Sequence, residues 1–397
     1  MYNRKLAWLL LILIALLPIT AAQRGIGATR RGIGAAHASV EYAYLLSARG
    51  VGQYRVGDDG RLRLIHQDLA QRQYGPTVVD AAHRAVYYSS APEFFQNFDQ
   101  VDRLLQFHIS ANGQLMPMRP PAVMTHSVLT DAAGVPGRPL VFTTTEDSPT
   151  YLEEYRVGRG GALRRVFALL LTGYSVGGVT APTPDDLIVS VDSLVGGRTI
   201  LHYRIMPGGG LRPMPVPASN ISALPSDLNG QIGYSRSPSG DTFCALQGVP
   251  VGPGYNAPAV AVYPLHAGRD FLARAPTVTR LHTGHNDDIE SVACTDRFVF
   301  CGGYADEVRV AVQSYRIGAN GHLTLLNGHA VRPAFRPRLS VDLRGKFLYV
   351  VTSGGVYTGA GMVSAYRIAR SGRLTWLQSL SGFGNVDSFQ FALLPRP

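Results

Sequence analysis

Tyr315-Arg316-Ile317-Gly318-Ala319-Asn320-Gly321-His322-Leu323-Thr324-Leu325-Leu326 reads as a β-hairpin. Tyr315 and Ile317 alternate with Arg316 on one strand, and Leu323 and Leu325 alternate on the return. Between them Gly318 to Gly321 form a short loop whose last glycine takes positive φ at no steric cost. The pattern is an aromatic residue, a glycine six positions on and a leucine two further. It recurs at Tyr54/Gly60/Leu62, Phe107/Gly113/Leu115, Tyr155/Gly161/Leu163, Tyr203/Gly209/Leu211 and Tyr366/Gly372/Leu374. A looser copy at Tyr263 has Gly268 one place early and Leu272 one place late.

From aromatic to aromatic the steps are 53, 48, 48, 60, 52 and 51 residues. A period near 50 with about four strands per unit predicts a β-propeller, and seven copies predict seven blades. The fold class expected is all-β, with four-stranded antiparallel blades. Ser388-Phe389-Gln390-Phe391-Ala392-Leu393-Leu394 reads as an opening strand with nothing after it. The segment from Val40 reads as a unit without its opening strand. Pairing the C-terminal strand with the N-terminal blade would close the ring and remove a sheet edge.

The ends of the chain carry further signals. Arg4 and Lys5 precede the apolar run Leu6 to Leu17, and Thr20 and Ala22 are small residues at the −3 and −1 positions. This describes a secretory signal peptide over 1–22, so the protein is expected to be exported, to the periplasm or outside the cell. The run is short for a membrane span, which implies no stable membrane insertion once it is cleaved. Residues 23–39 repeat Arg-Gly-Ile-Gly-Ala and read as a Gly/Arg-rich linker. The propeller is expected over 40–397.

The chain carries a formal charge of +10 with only two lysines, Lys5 and Lys346. Arg follows the repeat aromatic in five copies (Arg55, Arg156, Arg204, Arg316, Arg367), so the basic excess is spread by the repeat. A nucleic-acid footprint would be a cluster with interleaved aromatics, and none is expected. Three cysteines make no disulfide framework. Cys294 and Cys301 flank a turn and are either a bridge or a pair of buried thiols.

The blade from Pro337 to Leu377 holds Leu339-Ser340-Val341-Asp342-Leu343-Arg344-Gly345-Lys346-Phe347-Leu348-Tyr349-Val350, then Val363 to Ile368 and Gly372-Arg373-Leu374. It resembles the seven-bladed lactonase family, which includes 6-phosphogluconolactonase-type propellers and carboxymuconate-lactonising enzymes. The resemblance implies a His, an Arg and a carboxylate at the mouth of the central channel. His126-Ser127 matches the end of the family's His-x-His-Ser stretch. Tyr174 to Val179 stands where a Gly-Pro-Arg-His-like run is expected, and Val191-Asp192-Ser193-Leu194 stands for an Asn-Glu-Leu stretch. On this resemblance His126 would move the proton and Asp192 would orient it. Arg236 and Arg338, early in other inner strands, would hold an anionic substrate.

Two functions follow as expectations. One is a lactonase-like hydrolase acting on a small, sugar-type cyclic ester. The other is a non-catalytic propeller binding a protein, glycan or small ligand through its loops, with Phe94 to Phe98 a candidate apolar patch. Neither needs a cofactor, and a monomer is expected. The polar stretch His282 to Glu290 matches no zinc or calcium spacing and reads as a braced turn, so no metal is expected.

Overall fold

The computed structural model describes residues 39–47, 49–68, 75–89, 103–145, 150–172, 174–193, 197–216, 233–252, 255–265, 275–281, 289–305, 309–331, 335–353, 361–384 and 386–395. The expected signal peptide and most of the linker lie outside them, as do Phe94 to Phe98 and His282 to Asp288.

The described strands form seven four-stranded antiparallel sheets, arranged as a β-propeller, with no helix among the described residues. Blades 2 to 7 each run outward from the inner strand in chain order. Their inner strands are Thr77–Asp80, Leu129–Gly134, Tyr174–Thr180, Tyr234–Arg236, Ile289–Cys294 and Phe335–Val341. Blade 1 is made from both ends of the chain. Its order is Val386–Pro395, Ser39–Ser47, Gly50–Val56, Leu62–Asp68. The expected ring closure is therefore present.

The repeated hairpin joins the third and fourth strands. In blade 1 Gly57 N–H donates to Arg61 O at 2.9 Å and Gly60 N–H to Gly57 O at 2.8 Å. The same two bonds recur in the hairpins of Gly113, Gly161, Gly209, Gly321 and Gly372. The glycine φ values fall between +81° and +89°, where a side chain clashes with its own backbone. Packing adds a second reason. A Cβ on Gly60 would run into the Phe347 ring, and one on Gly113 into the Tyr42 ring. Each glycine turn thus presses on the preceding blade. Tyr44 and Tyr349 hydroxyls donate to the carbonyls of Gly113 and Gly60 at 3.0 and 2.9 Å, and Tyr87 reaches Gly161 O.

The core lies between blades. At the seam Phe389 and Phe391 meet edge to face at 4.9 Å between ring centres, and each lies within 5.4 Å of Tyr349. All three cysteines are free and buried. They share one cluster between blades 5 and 6 with Leu246, Val292 and Tyr315, where burial pushes the Cys244 and Cys301 thiols above their usual range. Of the two readings open for Cys294 and Cys301, the structure has buried thiols.

Candidate functional site

The inner strands enclose a central cavity of about 620 Å³ to which all seven blades contribute. Its titratable lining residues are Asp131, Tyr234, Arg236, Glu290 and Arg338. Two irregularities of backbone place the first of these. The register of Leu129–Gly134 against its neighbour shifts between Leu129 and Asp131, and that of Tyr174–Thr180 shifts between Val176 and Gly178. Bulges re-aim side chains and free backbone donors in this way. Here they bring Val179 N–H to Asp131 Oδ2 at 2.9 Å. Gly178 leaves the room, because a Cβ there would lie 2.9 Å from the same oxygen.

Asp131 accepts two further bonds, from Ala132 N–H at 2.8 Å and from the Tyr234 hydroxyl at 3.1 Å. Tyr234 also lies 2.7 Å from Val179 O. Its single proton serves one acceptor at a time. A neutral Asp131 could donate to the phenol oxygen and leave the phenol proton to Val179 O. Burial pushes the Asp131 carboxyl up to about 6, against the pull of these bonds and of the Arg338 charge. The charged form is disfavoured by desolvation and favoured by donors and cations, and here desolvation wins.

Arg338 and Arg236 both line the cavity, Arg236 at the end of its strand with the guanidinium over Gly240. Burial lowers the Arg236 pKa, and Asp241 opposes the shift. A second cavity of about 410 Å³ adjoins the first, sharing Thr180, Tyr234, Arg236 and Gln390 with it.

His126 is placed differently from the expectation that it opens onto the channel. It lies in the connection before Leu129–Gly134, but its ring turns to the outer strands of blade 3. Nδ1 is 2.5 Å from Glu153 Oε1 and 3.0 Å from Arg165 Nη1, and the ring stacks on Tyr151 at 4.5 Å. Glu153 is fully buried, and its other oxygen accepts from Tyr155 at 2.8 Å and Thr143 at 3.3 Å. A carboxyl buried there would be costly without partners, and the His126 imidazole and Arg165 guanidinium supply them. Asp192 lies on the second strand of blade 4, with its backbone opposite Ser175 and Arg198. The structure thus gathers Arg236 and Arg338 at one cavity and leaves His126 outside it.

Asp131, Tyr234 and Glu290 were not singled out from the sequence as site residues. The signal available for Asp131 was a lone carboxylate among small and apolar residues, Leu129-Thr130-Asp131-Ala132-Ala133, in an inner strand.

No protein-family model matches the chain, and no curated protein matches it in sequence. Solved structures do. The periplasmic gluconolactonase PpgL of Pseudomonas aeruginosa is similar at a TM-score of 0.65 and 14% identity, over 90% of this chain and all of that one. A candidate 6-phosphogluconolactonase from Bacteroides fragilis gives 0.62 at 11% identity, over 89% and 98% of the two chains. Another from Bacteroides uniformis gives 0.62 at 12%, over 89% and 99%. At such identities the likeness speaks to the fold alone, a seven-bladed β-propeller.

Proposed function

We propose that this ring is an exported lactonase-like hydrolase of a small cyclic ester, acting in its central channel. The observation that carries the reading is Asp131, a carboxyl held near pH 6 on the channel wall with Arg338 close enough to bias it. In this reading the Asp131 carboxylate takes a proton from water as the water oxygen bonds to the lactone carbonyl carbon. Arg338 balances the oxyanion. The ring C–O bond then breaks, the leaving oxygen recovers the proton from Asp131, the new acid gives its remaining proton to solvent, and the resulting carboxylate rests against an arginine. A base of this pKa is largely ionised at neutral pH and still basic enough to be useful. The N-terminal Arg4-Lys5 and Leu6 to Leu17 support export, and the periplasmic description of PpgL agrees with it.

A second reading has its own support. Three hydrogen bonds on Asp131 also suit a purely structural brace across blades 3, 4 and 5, in a propeller that binds a small ligand without turnover. Hydrolysis of a panel of sugar and aliphatic lactones, corrected for spontaneous opening, separates them. Asp131→Asn is expected to lower kcat/KM by roughly 10²–10⁴, and His126→Ala to leave it within about threefold. The wild-type rate should rise with pH through about 6 and then level. Loss in His126→Ala alone would move the chemistry to the Glu153 pair. No turnover by the wild type would favour the binding reading.

A further inference from the structure

The arginines that the repeat spreads through the sequence converge in space. In a blade that meanders outward, the first–second and third–fourth turns share one end of the ring. The contacts agree. Arg344, in a first–second turn, reaches Asp58 in the hairpin of blade 1 at 3.2 Å, and Arg138, in another, donates to Ile205 O of blade 4 at 3.1 Å. The described hairpins that carry arginines therefore deliver them to that same end.

Within three hairpins the arginines oppose each other directly. Arg55 pairs across the strands with Arg63, Arg156 with Arg164 and Arg204 with Arg212. Like charges opposite one another destabilise a sheet, and the arrangement recurs in blades 1, 3 and 4. Arg55, Arg63, Arg164 and Arg212 are exposed and, among the described residues, pair with no carboxylate. Arg156 is engaged with Gly208 O at 2.6 Å, and the acids of the blade 1 turn, Asp58 and Asp59, meet Arg344 and Arg61. The first–second turns bring acids to this end too, with Asp185 3.8 Å from Arg138 and Asp296 accepting from Ser239. Arg204 is half-buried, so the exposed positive charge of these pairs rests on Arg55, Arg63, Arg164 and Arg212.

Large apolar residues accompany it. Opposite the repeat tyrosines Tyr54, Tyr315 and Tyr366 stand Leu64, Leu325 and Trp376, exposed at 58%, 41% and 61%. They lie on the outer strands of three consecutive blades, 6, 7 and 1. The strand Ser39–Ser47 also starts at this end, where Glu41 is paired with Val56 beside the hairpin turn.

We propose that this end of the propeller docks on the surface of an anionic phospholipid bilayer. Guanidinium groups spread over several blades, with Leu325, Trp376 and Leu64 exposed on blades 6, 7 and 1, match a planar sheet of phosphates with an apolar layer beneath. Arginine suits phosphate because its planar fork donates two bonds at once. The proposal is independent of the channel chemistry.

The test is co-sedimentation of the full chain with vesicles of phosphatidylcholine alone and with one third phosphatidylglycerol, beside Arg63→Glu/Arg164→Glu/Arg212→Glu. The wild type is expected to prefer the anionic vesicles at low salt and to lose the preference in high salt. Each basic residue near such a surface is worth about fivefold in partitioning, so the triple variant should lose the preference more than a hundredfold while melting like the wild type. Equal binding to both vesicles, or an undiminished preference in the variant, would overturn the proposal. So would capture by soluble heparin or single-stranded DNA without any preference between vesicles, which would make the partner a free polyanion.

Discussion

The third–fourth hairpins and the inner strands of this ring follow opposite rules. The hairpins are nearly the same in blade after blade, with a glycine at φ near +85° pressed on the blade before it. The inner strands differ in every blade. They bring Thr77, Asp131, Thr180, Tyr234, Glu290, Arg338 and Ser388 to a single cavity. What repeats holds the ring together, and what does not repeat gives the channel its chemistry. A rigid scaffold with varied groups at one opening is how such folds acquire function.

The largest test of this contrast is at the seam, where one inner strand also carries structure. Removing the last ten residues takes away most of Val386–Pro395, with Phe389 and Phe391 from beneath Tyr349. The shortened chain is expected to lose its cooperative melt altogether by circular dichroism. A melt like that of the full chain would break the claim that the ring depends on its closure.

Next comes the repeated glycine. Gly113→Val must adopt positive φ and displace Tyr42, at about 1–2 kcal/mol for the backbone and about 1–3 for overpacking. Gly137, at φ +70°, has nothing within 4 Å of a built Cβ. Gly137→Ala should therefore cost only the backbone part, about 1 kcal/mol. Equal losses in denaturant melts would show that the hairpin contact between blades contributes little.

The smallest effect is a pH dependence at the same seam. Burial and the neighbouring Asp342 push Glu41 up to about 7, while Leu343 N–H and Arg344 pull it down. Unfolded, its carboxyl titrates near 4.5. Between these values the folded chain holds a proton that the unfolded chain has released, so stability from this group is complete below about 4.5 and falls as pH rises through about 7. Glu41→Gln keeps an acceptor for Leu343 N–H. It should raise Tm at pH 8 and leave it nearly unchanged at pH 4.5. An equal gain at both would mean the charge is not the cause.

The hairpins were legible because their chemistry is local. Gly321 must be glycine for reasons set within its own turn, and Tyr315, Ile317 and Leu323 alternate over a few residues. The closure was legible because two incomplete ends had only each other. The site was less so. His126 looks like a channel residue by position, yet it is held by Glu153, 27 residues on. Nothing near His126 in sequence announces that carboxylate. Asp131 acquires its character from Val179 and Tyr234, on two other blades. In the sequence the arginines stand dispersed, because linear order does not show that the described hairpins turn toward the same end.

The seam also sets an order of events. Blade 1 draws its inner strand, Val386–Pro395, from residues made long after its other three, which end at Asp68. Until Val386–Pro395 has been made, Ser39–Ser47, with Tyr42, Tyr44, Leu45 and Leu46, keeps one edge of backbone donors and acceptors open. That is a waiting template for any other strand. The ring cannot be completed blade by blade in chain order. A chaperone that shields the first blade would have to stay until the final strand arrives.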